Sequence, residues 1–385
     1  MKFPKSFKHI ILFVTLILMS TTANADSICS HNNFRFIEII GQAGGHIYSA
    51  DALKEASPSK YKEYRTLQLR YGWNSSDPNG WQSMYLYPQY GIGWYSGSIG
   101  DPEIVGRPSA VYGFISFPLS YDPKHYPFIE ASMGVGYNFR PYHKERNREN
   151  DAIGSKLTGY LNLKLAANYR LNRELDLIYG FDIIHFSNGR IYKPNAGLNM
   201  LGINVGLRYN FNTMQKEVDN SYYPEVVLDA RPRHSIFRPK EPIKRGEFLL
   251  YSAFGLVQND MDDSKHYGTF STCIEYRYLI NTCSGVTAGF DFFYDSSLKP
   301  LYPGESYDLY GVHIGYDFLF GKFDARLQGG TYLTQKGRKF KGHFFFRPAL
   351  QYNFGSKFYA QIGLKTQKFK ADWIEWGIGV KFPYS

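Results

Sequence analysis

His185, Phe186 and Ser187 put an imidazole and a hydroxyl two residues apart, and Asn199 follows within the same stretch. These residue types could cleave an ester by nucleophilic attack. Serine is a weak nucleophile until a base takes its proton, and histidine is the usual base. In an extended chain, side chains two apart point the same way, as a hydrogen bond between them requires. The backbone N–H groups of Asn188 or Gly189, just past the last paired residue, could then serve an oxyanion. His-x-Ser alone is a weak signal, and its weight depends on what positions it.

The positioning elements are two strands. From Tyr179 to Phe211 the residues alternate between apolar and polar. One face carries Leu175, Leu177, Tyr179, Phe181 and Ile183, then His185 and Ser187. The other carries Glu174, Asp176, Gly180 and Asp182. The second strand repeats this, with Asn199 heading the row Leu201, Ile203, Val205, Leu207 and Tyr209. Antiparallel neighbours joined by one loop bring His185, Ser187 and Asn199 together on the apolar face. Polar residues near a strand end can simply reach lipid headgroups, because barrel walls tolerate them there. That accounts for one or two such residues more easily than for three that converge.

The rest of the chain explains an apolar outer face. Lys2, Lys5 and Lys8 precede an apolar run from Ile10 to Met19, and Ala23-Asn24-Ala25 fits a cleavage site. Residues 1–25 read as a secretory signal. Aromatic content is 18%, with 33 Tyr and 30 Phe among 385 residues. Yet mean hydropathy is only −0.37. Many aromatics without long apolar runs fit a transmembrane β-barrel, whose lipid face takes every second residue. The rival is a secreted β-sandwich. The net charge of +10 points to phosphorylated lipid as the anionic partner. Nucleic acid is excluded, because an exported barrel has little access to it. Cys29, Cys273 and Cys283 show no metal-ligand spacing. A disulfide is open to them in an oxidising compartment. A tight turn at Asn281-Thr282, however, does not set Cys273 opposite Cys283.

Alternation predicts about eight strands in each half of the chain. The first set runs from 34–48 to 198–211, with its third strand at 83–95. The second runs from 245–257 to 373–382, with its sixth at 339–353. Long polar connections such as 140–155 and 188–197 follow odd-numbered strands, and short ones such as 171–174 and 321–322 follow most even-numbered ones. Outer-membrane barrels have this asymmetry, which puts the N-terminus in the periplasm. Residues 212–244 lack either period and read as a periplasmic linker between units 26–211 and 245–385. Asn204-x-Gly206-x-x-Tyr209-x-Phe211 closes the first unit and Glu375-x-Gly377-x-x-Val380-x-Phe382 the second. The pattern resembles the terminal signal by which barrel-assembly machinery recognises its clients. The fold class is therefore all-β, a transmembrane antiparallel barrel in two tandem eight-stranded units. One barrel of about sixteen strands is the alternative.

His185-Phe186-Ser187-Asn188-Gly189, Lys193-Pro194-Asn195-Ala196-Gly197 and Gly202 through Phe211 resemble the lipid A 3-O-deacylase (PagL) family, also called acyloxyacyl hydrolase-like. The resemblance covers the first unit. It implies an outer-membrane barrel whose outer wall removes an ester-linked acyl chain from the 3-O position of lipid A, without metal or cofactor. It makes Ser187 the nucleophile and His185 the base. The family has a glutamate where this chain has Asn199. Asparagine can hold a neutral histidine in its tautomer but gives imidazolium no full counter-charge, so activity is expected to be slowed or lost. The second unit lacks His-x-Ser and offers Thr366 and Gln367 near the equivalent place. Arg140, His143, Lys144, Arg146 and Arg148 could bind lipid A phosphates, although Glu145 and Glu149 dilute their charge. The competing functional reading is a non-catalytic barrel, a pore or structural protein. The discriminator is geometric: the esterase reading puts His185 Nε2 within hydrogen-bond reach of Ser187 Oγ on the outer wall, and it fails if the pair faces the lumen.

Overall fold

The computed structural model describes residues 34–48, 51–56, 64–78, 80–120, 122–213, 229–234, 245–334, 339–367 and 370–384. The expected signal, Cys29 and most of the expected linker lie outside these. The first barrel comprises β1 (Phe34–Tyr48), β2 (Tyr64–Asn74), β3 (Gln89–Ile99), β4 (Gly106–Pro118), β5 (His125–Phe139), β6 (Thr158–Arg170), β7 (Leu175–Ser187) and β8 (Leu198–Asn212). The second comprises β9 (Arg245–Gln258), β10 (His266–Asn281), β11 (Ser284–Asp295), β12 (Asp308–Phe320), β13 (Phe323–Tyr332), β14 (Phe344–Phe354), β15 (Phe358–Gln367) and β16 (Lys370–Tyr384). Each set pairs antiparallel in sequence order and closes on itself, β8 on β1 and β16 on β9. The chain is thus two barrels and not one of sixteen strands.

Alternation decides which face each side chain takes. Along β7, Asp176, Ile178, Asp182, Ile184 and Phe186 are buried, while Tyr179, Phe181 and Ile183 are exposed. Leu163, Ile203 and Phe254 are likewise more than half exposed. At about 25 cal/mol per Å² such apolar surface is costly to leave in water, so this face belongs against lipid. Among the described residues no helix is long and apolar enough to cross a membrane.

The lumens are filled. In the first barrel, Arg70 pairs with Glu38 at 3.1 Å and Glu130 at 2.5 Å, Lys164 with Glu130 at 3.1 Å, and Arg208 with Glu38 at 2.5 Å. In the second, His313 lies between Asp291 at 2.6 Å and Glu275 at 3.0 Å. Buried charges persist only when paired in this way. An eight-stranded barrel is just wide enough for its own side chains, and the inward charged groups here are buried. That filling speaks against a pore.

Some details depart from the sequence reading. The third strand begins at Gln89, not at 83, because a short helix (Trp81–Met84) occupies the connection before it. Trp81 and Tyr85 pack on Phe320 of the second barrel, with ring centroids 5.4 and 4.9 Å away. The Tyr85 hydroxyl donates to the Cys283 carbonyl at 2.6 Å. This even-side connection is longer than expected, and it contacts the second barrel. β14 begins at Phe344. Cys273 and Cys283 are free and buried, and Cys273 pairs across the sheet with Asp291. Of the expected linker, residues 229–234 dock on the first barrel. Arg231 bonds Asp176 at 2.6 Å, and the His234 ring stacks on Tyr87 at 4.0 Å.

Candidate active site

β7 and β8 set His185 directly opposite Asn199. Both alternate with buried neighbours, so both point to the outside wall at the strand end, and Ser187 lies on the same face as the last residue of β7. The expected trio is therefore on one patch of the lipid-facing wall. The lumen-facing alternative is not what the chain forms.

The hydrogen bonds set the chemistry. His185 Nδ1 and Asn199 Oδ1 are 2.7 Å apart. Since a carbonyl oxygen only accepts, Nδ1 carries the proton and Nε2 is left as the basic nitrogen. The expected bond from Ser187 to His185 Nε2 is not among those of the described residues. The Ser187 hydroxyl donates instead to Asn195 Oδ1 at 3.1 Å, while Asn195 Nδ2 lies 3.0 Å from Oγ. The cause is the turn after Ser187, which folds the following loop back over the strand end. Unliganded catalytic hydrogen bonds are often long or unformed until substrate binds.

The two expected oxyanion donors part company. Gly189 N–H donates to Ser187 Oγ at 3.2 Å, beside the reacting atom. Asn188 N–H is committed to Asn195 Oδ1 at 3.0 Å, and the Asn188 amide turns inward to donate to Ser155 Oγ at 3.1 Å. Asn188 therefore orients Asn195 and does not offer a donor to substrate. Because Asn188 N–H fixes its Oδ1, the Asn195 amide keeps Nδ2 as well as Oδ1 beside the serine oxygen. Sequence reasoning gave Asn195 no role. The signal was its place in the Lys193–Gly197 motif, but a loop position does not reveal which way a side chain points.

Gly197 completes the wall around the histidine. Its φ is +77°, a region favouring glycine, and a Cβ there would lie 3.0 Å from His185 Cε1. Burial, with Arg190 nearby, lowers the Lys193 amine below the ordinary lysine value.

The basic loop between β5 and β6 adjoins this site, since Gly197 N–H donates to Ala152 O at 3.1 Å. Asn147 and Asn150 tie the loop down through the carbonyls of Ile104 and Arg140. His143, Lys144, Arg146 and Arg148 are exposed, whereas Arg140 pairs with Glu103 at 3.2 Å. In the second barrel Thr366 is buried and donates to Phe346 O at 3.0 Å, which is a structural bond.

Residues 65–208 match the family model described as Lipid A 3-O-deacylase (PagL), and residues 246–384 match the one described as Acyloxyacyl hydrolase, C-terminal domain. The first barrel belongs to the lipid A 3-O-deacylase family. The chain is an outer-membrane barrel protein of a class of lipid A hydrolases. The first match encloses His185, Ser187 and Asn199, and the second spans nearly the whole second barrel. No curated protein matches this chain. Among solved structures, the outer membrane enzyme PagL is 17% identical with a TM-score of 0.31, covering 44% of this chain and 97% of its own. Neisserial surface protein A is 9% identical with a TM-score of 0.29, covering 46% and 96%. The N-terminal β-barrel domain of Pseudomonas aeruginosa OprF is 10% identical with a TM-score of 0.28, covering 46% and 98%.

Proposed function

We propose that the first barrel is a serine esterase that removes the 3-O-linked acyl chain of lipid A. The observation that carries this reading is the outward-facing row of Ser187, His185 and Asn199 at the strand end, with Nε2 free to accept a proton. The ester of a membrane lipid lies just inside the headgroup layer, where a patch at the edge of the apolar wall can meet it. The Ser187 hydroxyl turns from Asn195 to His185 Nε2, which takes its proton as Oγ attacks the ester carbonyl. Gly189 N–H and Asn195 Nδ2 receive the negative charge on the former carbonyl oxygen. The imidazolium then protonates the departing sugar oxygen, and water, activated by the same histidine, releases the fatty acid.

Asn199 holds the tautomer but supplies no charge to the imidazolium, so turnover is expected below that of a site with glutamate there. Lys144, Arg146 and Arg148, with Arg140 behind them, are assigned to the lipid A phosphates. Recognition by barrel-assembly machinery rests on the two strand-end patterns that close β8 and β16. The test is mass spectrometry of lipid A from cells expressing the chain or its Ser187→Ala variant. Loss of one 3-O acyl chain with the first and not the second is expected. Identical patterns would leave the chain a non-catalytic barrel.

A further inference from the structure

The second barrel has no His-x-Ser of its own, yet it grips the loop that follows Ser187. The Arg190 guanidinium bonds Asp372 Oδ1 at 3.2 Å and Asn259 Oδ1 at 2.7 Å. Gln258 N–H donates to the Arg190 carbonyl at 3.1 Å, and Gln258 Oε1 accepts from Lys193 N–H at 2.7 Å. A side chain at Gly189 would collide with Ile374. Every one of these partners belongs to β9, β16 or the residue just past β9.

The anchors are themselves fixed. Asp372 is buried and also accepts from Lys341 Nζ at 2.8 Å and Lys365 Nζ at 2.7 Å. Asn259 Nδ2 donates to Ser297 O at 2.7 Å, which orients its oxygen toward Arg190. The gripped segment is unusual. Gly189 and Arg190 have φ of +63° and +71°, consecutive left-handed residues of which the second is not glycine. A non-glycine residue keeps that conformation only where its surroundings over-determine it. Here the surroundings are the second barrel, and the conformation is what turns Gly189 N–H back onto Ser187 Oγ.

We infer that the second barrel is a positioning domain for the active site of the first. Through Arg190 it holds the 188–193 loop in the one shape that keeps Gly189 N–H beside the nucleophile. Arg190, Gln258, Asn259 and Asp372 are thus positioning residues, none of which touches substrate. This rests on Ser187 being the nucleophile, and the experiment keeps the two claims apart.

The full chain, in detergent or in vesicles containing lipid A, is compared with Arg190→Ala, Arg190→Lys and Asn259→Ala. Three readouts are taken: hydrogen exchange of residues 188–197, the rate at which Ser187 reacts with a fluorophosphonate, and kcat and KM for deacylation. Arg190→Ala should raise exchange in the loop and not in the strands. It should lower kcat and the labelling rate by about 10- to 100-fold, the scale for a misplaced catalytic group, with KM within about twofold. Arg190→Lys, which keeps the charge facing Asp372, should restore part of kcat, and Asn259→Ala should show a smaller loss of the same kind. Unchanged exchange in Arg190→Ala would overturn the grip. Faster exchange with unchanged kcat and labelling would overturn the positioning role. If wild-type Ser187 neither labels nor turns over, the nucleophile reading falls, and the positioning role falls with it even where exchange shows the grip.

Discussion

His185 and Asn199 face each other across β7 and β8 with Nδ1 and Oδ1 2.7 Å apart. The pairing is built into the sheet register and needs no loop to make it. It fixes the neutral tautomer that leaves Nε2 basic, and withholds the negative charge that imidazolium calls for as it forms. In a poorly solvated wall a carboxylate there acts at a lower effective dielectric than in water. Asn199→Glu should therefore raise kcat on the order of tenfold, about 1.4 kcal/mol of barrier. Asn199→Leu should lower it by freeing the ring to rotate. Steady-state deacylation of purified lipid A checks both. A slower Asn199→Glu enzyme would mean that the charge is not what limits this site.

Asn195 is the second polar partner of the nucleophile and is itself held by Asn188 N–H. Its two contacts with Oγ admit two roles, a clasp on the resting hydroxyl or a donor to the oxyanion. The fixed amide orientation favours the donor. Asn195→Ala should cost about 100-fold in kcat with little change in KM, the scale for losing one oxyanion donor. Asn195→Asp should cost more, since its charge opposes the oxyanion. A faster Asn195→Ala enzyme would identify the clasp.

The strands were legible because period-two alternation is local. Any stretch such as 175–187 shows its own two faces without reference to the rest of the chain. The same alternation brought His185, Ser187 and Asn199 to one face. Two closed barrels could be anticipated from the matching ends of β8 and β16. What could not be read were features made by contact between distant parts. The Trp81–Met84 helix exists where it packs on Phe320, and its sequence runs on from an aromatic stretch that also fits a strand. Asn195 reaches Ser187 through a turn held by Gln258 and Asp372, which belong to the second barrel.

The paired charges inside the first barrel make a separate prediction about stability. Glu130 holds Arg70 at 2.5 Å and Lys164 at 3.1 Å, all of them almost fully buried. Removing this carboxylate strips Lys164 of its paired counter-charge in the lumen and leaves Arg70 with Glu38 alone. Glu130→Ala should destabilise the barrel by about 3–5 kcal/mol, read as a lower denaturant midpoint. Simultaneous Glu130→Leu and Lys164→Leu replacement should recover part of that loss. If Glu130→Ala unfolds at the wild-type midpoint, water reaches this network and the lumen is more open than its packing suggests.

The exposed cations of the β5–β6 loop make the last prediction, about substrate capture. Lys144, Arg146 and Arg148 stand free of acidic side chains among the described ion pairs, whereas Arg140 is taken by Glu103. They lie on a loop that hydrogen-bonds the end of the 188–197 loop at Gly197, so a lipid held by its phosphates there has its acyl esters near Ser187. Exposed charges act over about 8–10 Å at physiological salt and lose reach as salt rises. The triple alanine variant should raise KM for phosphorylated lipid A by roughly tenfold at low salt, with kcat unchanged. The difference should shrink at high salt, and with lipid A lacking its phosphates. An equal rise in KM for both lipids would show that the loop recognises something other than phosphate.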